Sequence, residues 1–153
     1  MNDLKNQIKV IAITQGSAPL GYAVEVKIIA QKIGFKTKGL SEIGIVVSEL
    51  VTNVLKYANK GTLIIQHIIQ PEKGIEIIVE DEGPGFDFPD KVLTDGFSEG
   101  QLLTDNQFLA PKKSLGCGLG AVQRLMSSLS IENKSNGGAR VVTQKLLGTG
   151  NER

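Results

Sequence analysis

The sequence predicts an α+β fold in which helices cover one face of a mostly antiparallel β-sheet. Two amphipathic stretches of helical periodicity follow one another near the amino terminus, and the strand-like segments downstream come in hairpin pairs. The turn Pro71-Glu72-Lys73-Gly74 joins one pair, and Gly137-Gly138 joins the other. Because hairpin strands are antiparallel neighbours and amphipathic helices must cover an apolar surface, a two-layer sandwich satisfies both observations.

Periodicity places the individual elements along the chain. The order is strand, two helices, hairpin, irregular segment, helix and hairpin. Ser17 is the expected cap of the first helix, and Gly34 is expected just past its end. The predicted ranges are strand 8–14, helix 18–32, helix 41–58, strand 62–70, strand 75–80, helix 119–128, strand 129–133 and strand 139–147, with a frayed tail at 148–153.

Length and composition exclude several classes of protein. The 153 residues are expected to form one domain, 1–153, and 41% of them are hydrophobic. A formal net charge of +1 gives no electrostatic reason to expect nucleic acid or an anionic membrane as a partner. A single cysteine and a single histidine argue against a disulfide and a structural zinc site, and a cytoplasmic location is expected.

Three polar residues of different chemistry share one stripe of the second helix. Glu49 and Asn53 stand one turn apart, and Lys56 continues the stripe three residues on, opposite an apolar arc. A carboxylate, a carboxamide and an ammonium grouped in this way can hold a metal ion and a phosphate. Such a stripe more often only faces water, so residues elsewhere must decide between the two interpretations.

Asp81 continues the inward-facing row of the strand 75–80 and directly precedes Glu82-Gly83-Pro84-Gly85. A carboxylate at the end of an apolar row needs a hydrogen-bond donor, because burying it unpaired is unfavourable by several kcal/mol. One interpretation is that Asp81 accepts from the exocyclic amine of a ligand, with the glycines leaving room for a flat group. The other is an Asp that closes a turn with Gly83.

A second glycine cluster, Gly116-Cys117-Gly118-Leu119-Gly120, runs directly into a predicted helix. Its backbone N–H groups and the positive end of the helix suit a phosphate, and Lys112-Lys113 upstream can add charge. A flexible hinge is the alternative interpretation. The long irregular stretch before it predicts a lid at 86–115.

In order and spacing, the polar stripe from Glu49, the Asp81 box and the glycine box resemble the nucleotide-binding motifs of the Bergerat-fold (GHKL) ATPases, over residues 41–147. Within that superfamily, the small size, Asp95-Gly96-Phe97-Ser98 and the run 120–126 are similar to the anti-sigma-factor serine/threonine kinases, the switch kinases of the RsbT, RsbW and SpoIIAB type.

The resemblance implies ATP and Mg²⁺ as ligands and a role for each motif. Glu49 would be the catalytic base, Asn53 would ligate Mg²⁺, and Asp81 would bind the adenine amino group. The residues implied to bind the nucleotide and its metal ion are Asn53, Lys56, Asp81, Gly83, Gly85, Gly116, Gly118, Leu119 and Gly120.

The implied function is an ATP-dependent protein serine/threonine kinase of a stress-response partner-switching module. Its substrate would be a STAS-domain protein of the anti-anti-sigma type, with a sigma factor or a PP2C-type phosphatase as further partners and a homodimer as a compatible state. The alternative is an ATP-binding switch protein that captures such a partner without significant catalysis. Three departures from the family pattern bear on this choice: Tyr57 in place of a frequent His, Ala139 in place of a frequent Thr, and a long segment at 99–113.

Overall fold

The computed structural model describes residues 8–86 and 118–148. Within these ranges the elements are β1 (Ile8–Ile13), α1 (Pro19–Ile33), α2 (Thr37–Tyr57), β2 (Gly61–Ile68), β3 (Gly74–Asp81), α3 (Leu119–Leu125), β4 (Ser128–Asn133) and β5 (Ala139–Leu146). The strands form one sheet in the order β1-β2-β3-β5-β4, and every neighbouring pair is antiparallel. The predicted fold class is confirmed. Apart from Phe86 the predicted lid lies outside the described ranges, as do Gly116, the Lys112-Lys113 pair and the tail beyond Gly148.

The core lies between the sheet and α2, which packs against both of the other helices. Alternate strand residues point toward the helices, as the two-residue period requires. His67 takes one of these inward positions on β2 and is 8% exposed. The apolar residues of α2 that face the core are Ile43, Val46, Val47, Leu50, Val51 and Val54.

Several predicted boundaries are wrong. The second helix begins at Thr37 and not at residue 41, so Gly39 lies buried within its first turn. Ser17 does not cap α1, since the N-cap is Ala18 and the Ser17 hydroxyl lies 3.1 Å from the Thr14 hydroxyl. The third helix ends at Leu125, and the chain enters β4 directly. Gly34 does end α1, as predicted.

The buried cation Lys145 joins the helical layer to the sheet. Lys145 on β5 is buried, donates to the backbone oxygen of Leu125 at the end of α3, and has its ammonium 3.5 Å from Oε2 of Glu42 on α2. Because a buried charge is stable only when it is paired and hydrogen-bonded, these contacts fix the carboxyl end of α3 against both α2 and the sheet.

Candidate functional site

The polar stripe of α2 passes from solvent into the fold. Lys56 is exposed, and its ammonium lies 5.2 Å from the centroid of the Tyr57 ring. Glu49 is half-buried, and Asn53 is only 5% exposed. A stripe that merely faced water would leave all three exposed. The interpretation as a solvated face is therefore wrong for Asn53.

The glycine box is in contact with Glu49. Gly118 precedes α3 with a φ of +82°, and a Cβ added to it would lie 2.1 Å from Oε2 and 2.6 Å from Cδ of Glu49. The positive φ favours glycine here, and a larger residue would displace the Glu49 side chain. The packing of α3 along α2 brings these distant parts of the sequence together.

Asp81 is 3% exposed and anchors the loop that follows β3. Its Oδ1 accepts a hydrogen bond from the backbone N–H of Gly83 at 2.9 Å and another from the backbone N–H of Ala139 at 3.2 Å. The turn with Gly83 is thus present. The contact of Ala139 to Asp81 comes from the main chain and does not depend on the side chain at this position. Binding of a ligand amine by Asp81 stays a prediction.

Close backbone packing holds this loop between α2 and the β4–β5 turn. A Cβ on Gly83 would lie 2.6 Å from the Cβ of Ala58, just past the end of α2. A Cβ on Gly138 would lie 1.9 Å from the backbone oxygen of Asp81. No side chain fits at either glycine unless the backbone moves, so the loop approaches α2 as closely as its main chain allows.

Asn133, at the end of β4, is a site residue that the sequence did not reveal. Its Oδ1 accepts from the backbone N–H of Phe86 at 2.8 Å, and its Nδ2 donates to the backbone oxygen of the same residue at 2.8 Å. Gly85, with a φ of +81°, leaves room for this amide, since a Cβ there would lie 2.6 Å from Oδ1. The only signal in the sequence is an asparagine in a strand, where the residue is uncommon.

We expect Asn133→Ala to loosen the loop from Asp81 to Phe86. The substitution removes the two hydrogen bonds that Asn133 makes to the backbone of the buried Phe86, a loss of about 1–3 kcal/mol. Urea unfolding measures the global part of this loss, and amide hydrogen exchange at Phe86 measures the local part. Asn136→Ala, in the exposed β4–β5 turn, is the matched control. Equal exchange rates at Phe86 in the two variants would contradict the positioning role of Asn133.

Two further predicted residues, Leu119 and Gly120, lie at the start of α3. The Leu119 side chain is fully buried in the core, so this residue can offer a ligand only its backbone, while Gly120 lies within the first turn of α3.

Among the described residues, no group of three or more His, Cys, Asp or Glu side chains could hold a metal ion. No helix in the described ranges is long and apolar enough to span a membrane.

A sheet with helices on one face, a buried Asn on the central helix, an Asp-Gly loop beside it and a glycine box against the same helix together define a nucleotide-binding domain of the Bergerat type. The chain belongs to the histidine kinase-like ATPase family, whose domain matches residues 22–145.

Two relatives refine this assignment. The chain is 34% identical over 120 residues to the serine/threonine-protein kinase RsbT of Bacillus subtilis, covering 78% of this chain and 81% of that one. It is 28% identical over 123 residues to the serine-protein kinase RsbW of Bacillus velezensis, covering 78% and 72%. The predicted kinship with the anti-sigma-type kinases is confirmed.

Among solved structures, the mycobacterial sensor histidine kinase MprB shares the fold. Its TM-score is 0.50 at 15% identity, covering 92% of this chain and 97% of that chain. At this identity the likeness concerns the fold alone.

Proposed function

We propose that this protein is an ATP-dependent serine/threonine kinase of a partner-switching module and that its substrate is a STAS-domain protein. The single observation that carries the proposal is the contact between Gly118 and the Glu49 carboxylate. It puts the glycine box against a carboxylate that stands one helical turn from the buried Asn53. The similarity to two named protein kinases supports the same class of reaction.

The described residues fit ATP with a magnesium ion. A carboxamide oxygen such as that of Asn53 is a hard ligand, and Mg²⁺ commonly takes one or two protein ligands and completes its shell with phosphate and water. When bound, the ion would neutralise charge on the phosphates during transfer. Gly118 presents its backbone at this point without a side chain, and Lys56, exposed at the end of the stripe, can reach a phosphate.

Glu49 is proposed as the general base. In the transfer, the acceptor hydroxyl oxygen forms a bond to the γ-phosphorus, and the bond from that phosphorus to the bridging oxygen breaks. ADP leaves with the electron pair, and the hydroxyl proton passes to the Glu49 carboxylate. The half-buried position of Glu49 suits this role, because the carboxylate lies against Gly118 and stays open to an incoming protein.

Transfer of labelled phosphate from ATP to purified STAS-domain proteins of the source organism tests the proposal. We expect the wild type to label a serine or threonine of at least one of them, and Glu49→Gln to lower the rate by about 10²–10⁴-fold. Calorimetry should show that Glu49→Gln still binds ATP with an affinity close to that of the wild type. Glu25→Gln, a carboxylate of α1 that pairs with Lys9, is the control and should transfer normally.

Two results would contradict the proposal in different ways. A wild type that binds ATP and captures a STAS-domain protein without labelling it would establish the non-catalytic switch instead. A Glu49→Gln variant that transfers phosphate at the wild-type rate would remove Glu49 from the reaction while leaving the kinase activity in place.

A further inference from the structure

An apolar groove runs between α1 and α2. Leu20, Val24 and Ile28 follow one another at helical spacing on α1 and are 70%, 49% and 50% exposed, and Ile45 on α2 is 49% exposed. The groove between the two helices is open to solvent and has a volume of about 390 Å³. Large aliphatic side chains grouped on one exposed face are unfavourable in water, and such patches mark sites of interaction.

The groove also carries one positive charge. Gly44 forms part of its lining, and a Cβ at that position would lie 3.1 Å from Cδ of Lys27, so the stem of the lysine crosses the space that a side chain would fill. No carboxylate of residues 8–86 and 118–148 forms an ion pair with Lys27. A partner that fits the groove would thus combine apolar side chains with an acidic residue opposite Lys27.

Glu49 belongs both to the groove and to the candidate site. It lines the groove together with Leu20, Val24 and Ile45, and its carboxylate contacts Gly118 of the glycine box. A protein seated in the groove is therefore beside the carboxylate that has been proposed to accept a proton.

We propose that the phosphoryl acceptor docks in the α1–α2 groove, places apolar side chains against Leu20, Val24 and Ile45, and presents a carboxylate to Lys27. This inference rests on the proposed kinase function and adds the surface that recognises the substrate. A second copy of the chain fits less well. A twofold dimer through the same groove would cover both Glu49 carboxylates, which the proposed transfer requires to be open to the acceptor.

Binding of the STAS-domain acceptor to variants of the groove tests this proposal. Leu20→Glu and Val24→Glu place a charge on the apolar wall, and we expect each to weaken acceptor binding at least about ten-fold with the ATP affinity unchanged. Lys27→Glu should weaken it too, and wild-type binding should fall as salt increases. Val10→Glu is the matched control, because Val10 is 62% exposed on β1, away from the groove. Thermal unfolding checks each fold, and Ile45→Glu replaces Val24→Glu if that variant does not fold.

The possible outcomes separate docking from catalysis. Groove variants that bind the acceptor as tightly as Val10→Glu would overturn the docking site, even if the wild type transfers phosphate. Acceptor binding that is lost in Leu20→Glu would support the docking site, even if the wild type transfers none. A wild type that binds no STAS-domain protein would overturn it. Self-association that Leu20→Glu abolishes while acceptor binding persists would assign the groove to a second copy instead.

Discussion

Gly118→Ala is expected to lower phosphoryl transfer by two orders of magnitude or more while the protein stays folded. The added Cβ would lie 2.1 Å from Oε2 of Glu49, a contact that cannot exist. Rotation of the Glu49 side chain relieves this clash at the lowest energetic cost, since its far end is flexible and only half-buried. The carboxylate would then leave its position, and we expect a loss of about 10²–10⁴-fold, as for removal of a general base.

Backbone strain in the same variant can be separated from the displacement of Glu49. An alanine at a φ of +82° loses about 1–2 kcal/mol of stability whatever its surroundings. Gly137 has a φ of +98° and no atom within 4 Å of an added Cβ, so Gly137→Ala has the same strain without the contact. We expect equal losses of stability by urea unfolding, with a loss of transfer only in Gly118→Ala.

A double variant shows whether Gly118 acts through Glu49. If it does, Gly118→Ala lowers the transfer rate no further once Glu49→Gln is present, because the effects of residues that act as a unit are not additive. A further large decrease in the double variant would mean that the alanine disturbs the nucleotide itself.

The sequence predicts the fold well because its main signals are local. The inward row of β3 follows from alternation, and the stripe of Glu49, Asn53 and Lys56 follows from the 3.6-residue period of a helix. The helical period does not predict that Asn53 is buried, because its burial depends on how the other elements pack around α2. The true start of α2 is equally hidden from the sequence, because a glycine such as Gly39 is unfavourable inside a helix and is buried in this one.

The candidate site could be predicted only in part, because the sequence shows where the backbone is closely approached but not which group approaches it. Glycines at 83 and 118 indicate that something approaches the backbone closely, but the sequence does not say what. In the structure, Ala58 lies close to Gly83 and the Glu49 carboxylate lies close to Gly118. Asn133 was missed because its partner is the main chain of Phe86, and any residue offers a main chain. The roles assigned to Asn53, Lys56, Gly83 and Gly85 toward a nucleotide stay predictions.

Asp81→Asn is expected to weaken ATP binding by about 100-fold with little change in stability. The two backbone N–H groups at Oδ1, from Gly83 and Ala139, would hold the carbonyl oxygen of the new amide in the same place. The amide nitrogen then replaces the oxygen proposed to accept from the adenine amino group, and two donors face each other. Loss of a hydrogen bond to a charged group is worth about 1.5–3 kcal/mol, or roughly 10–150-fold in affinity.

Calorimetry with ATP and GTP makes this prediction specific to the base. Guanine carries an acceptor oxygen where adenine carries its amino group, so Asp81→Asn should narrow or reverse the preference for ATP over GTP. Glu82→Gln, at the exposed neighbouring carboxylate, should change neither affinity. If Asp81→Asn bound ATP as tightly as the wild type, the buried carboxylate would serve only to hold Gly83 and Ala139, and adenine recognition would have to be sought elsewhere. Asp81→Leu separates the two roles, because it should lower stability as well by leaving both N–H groups without an acceptor.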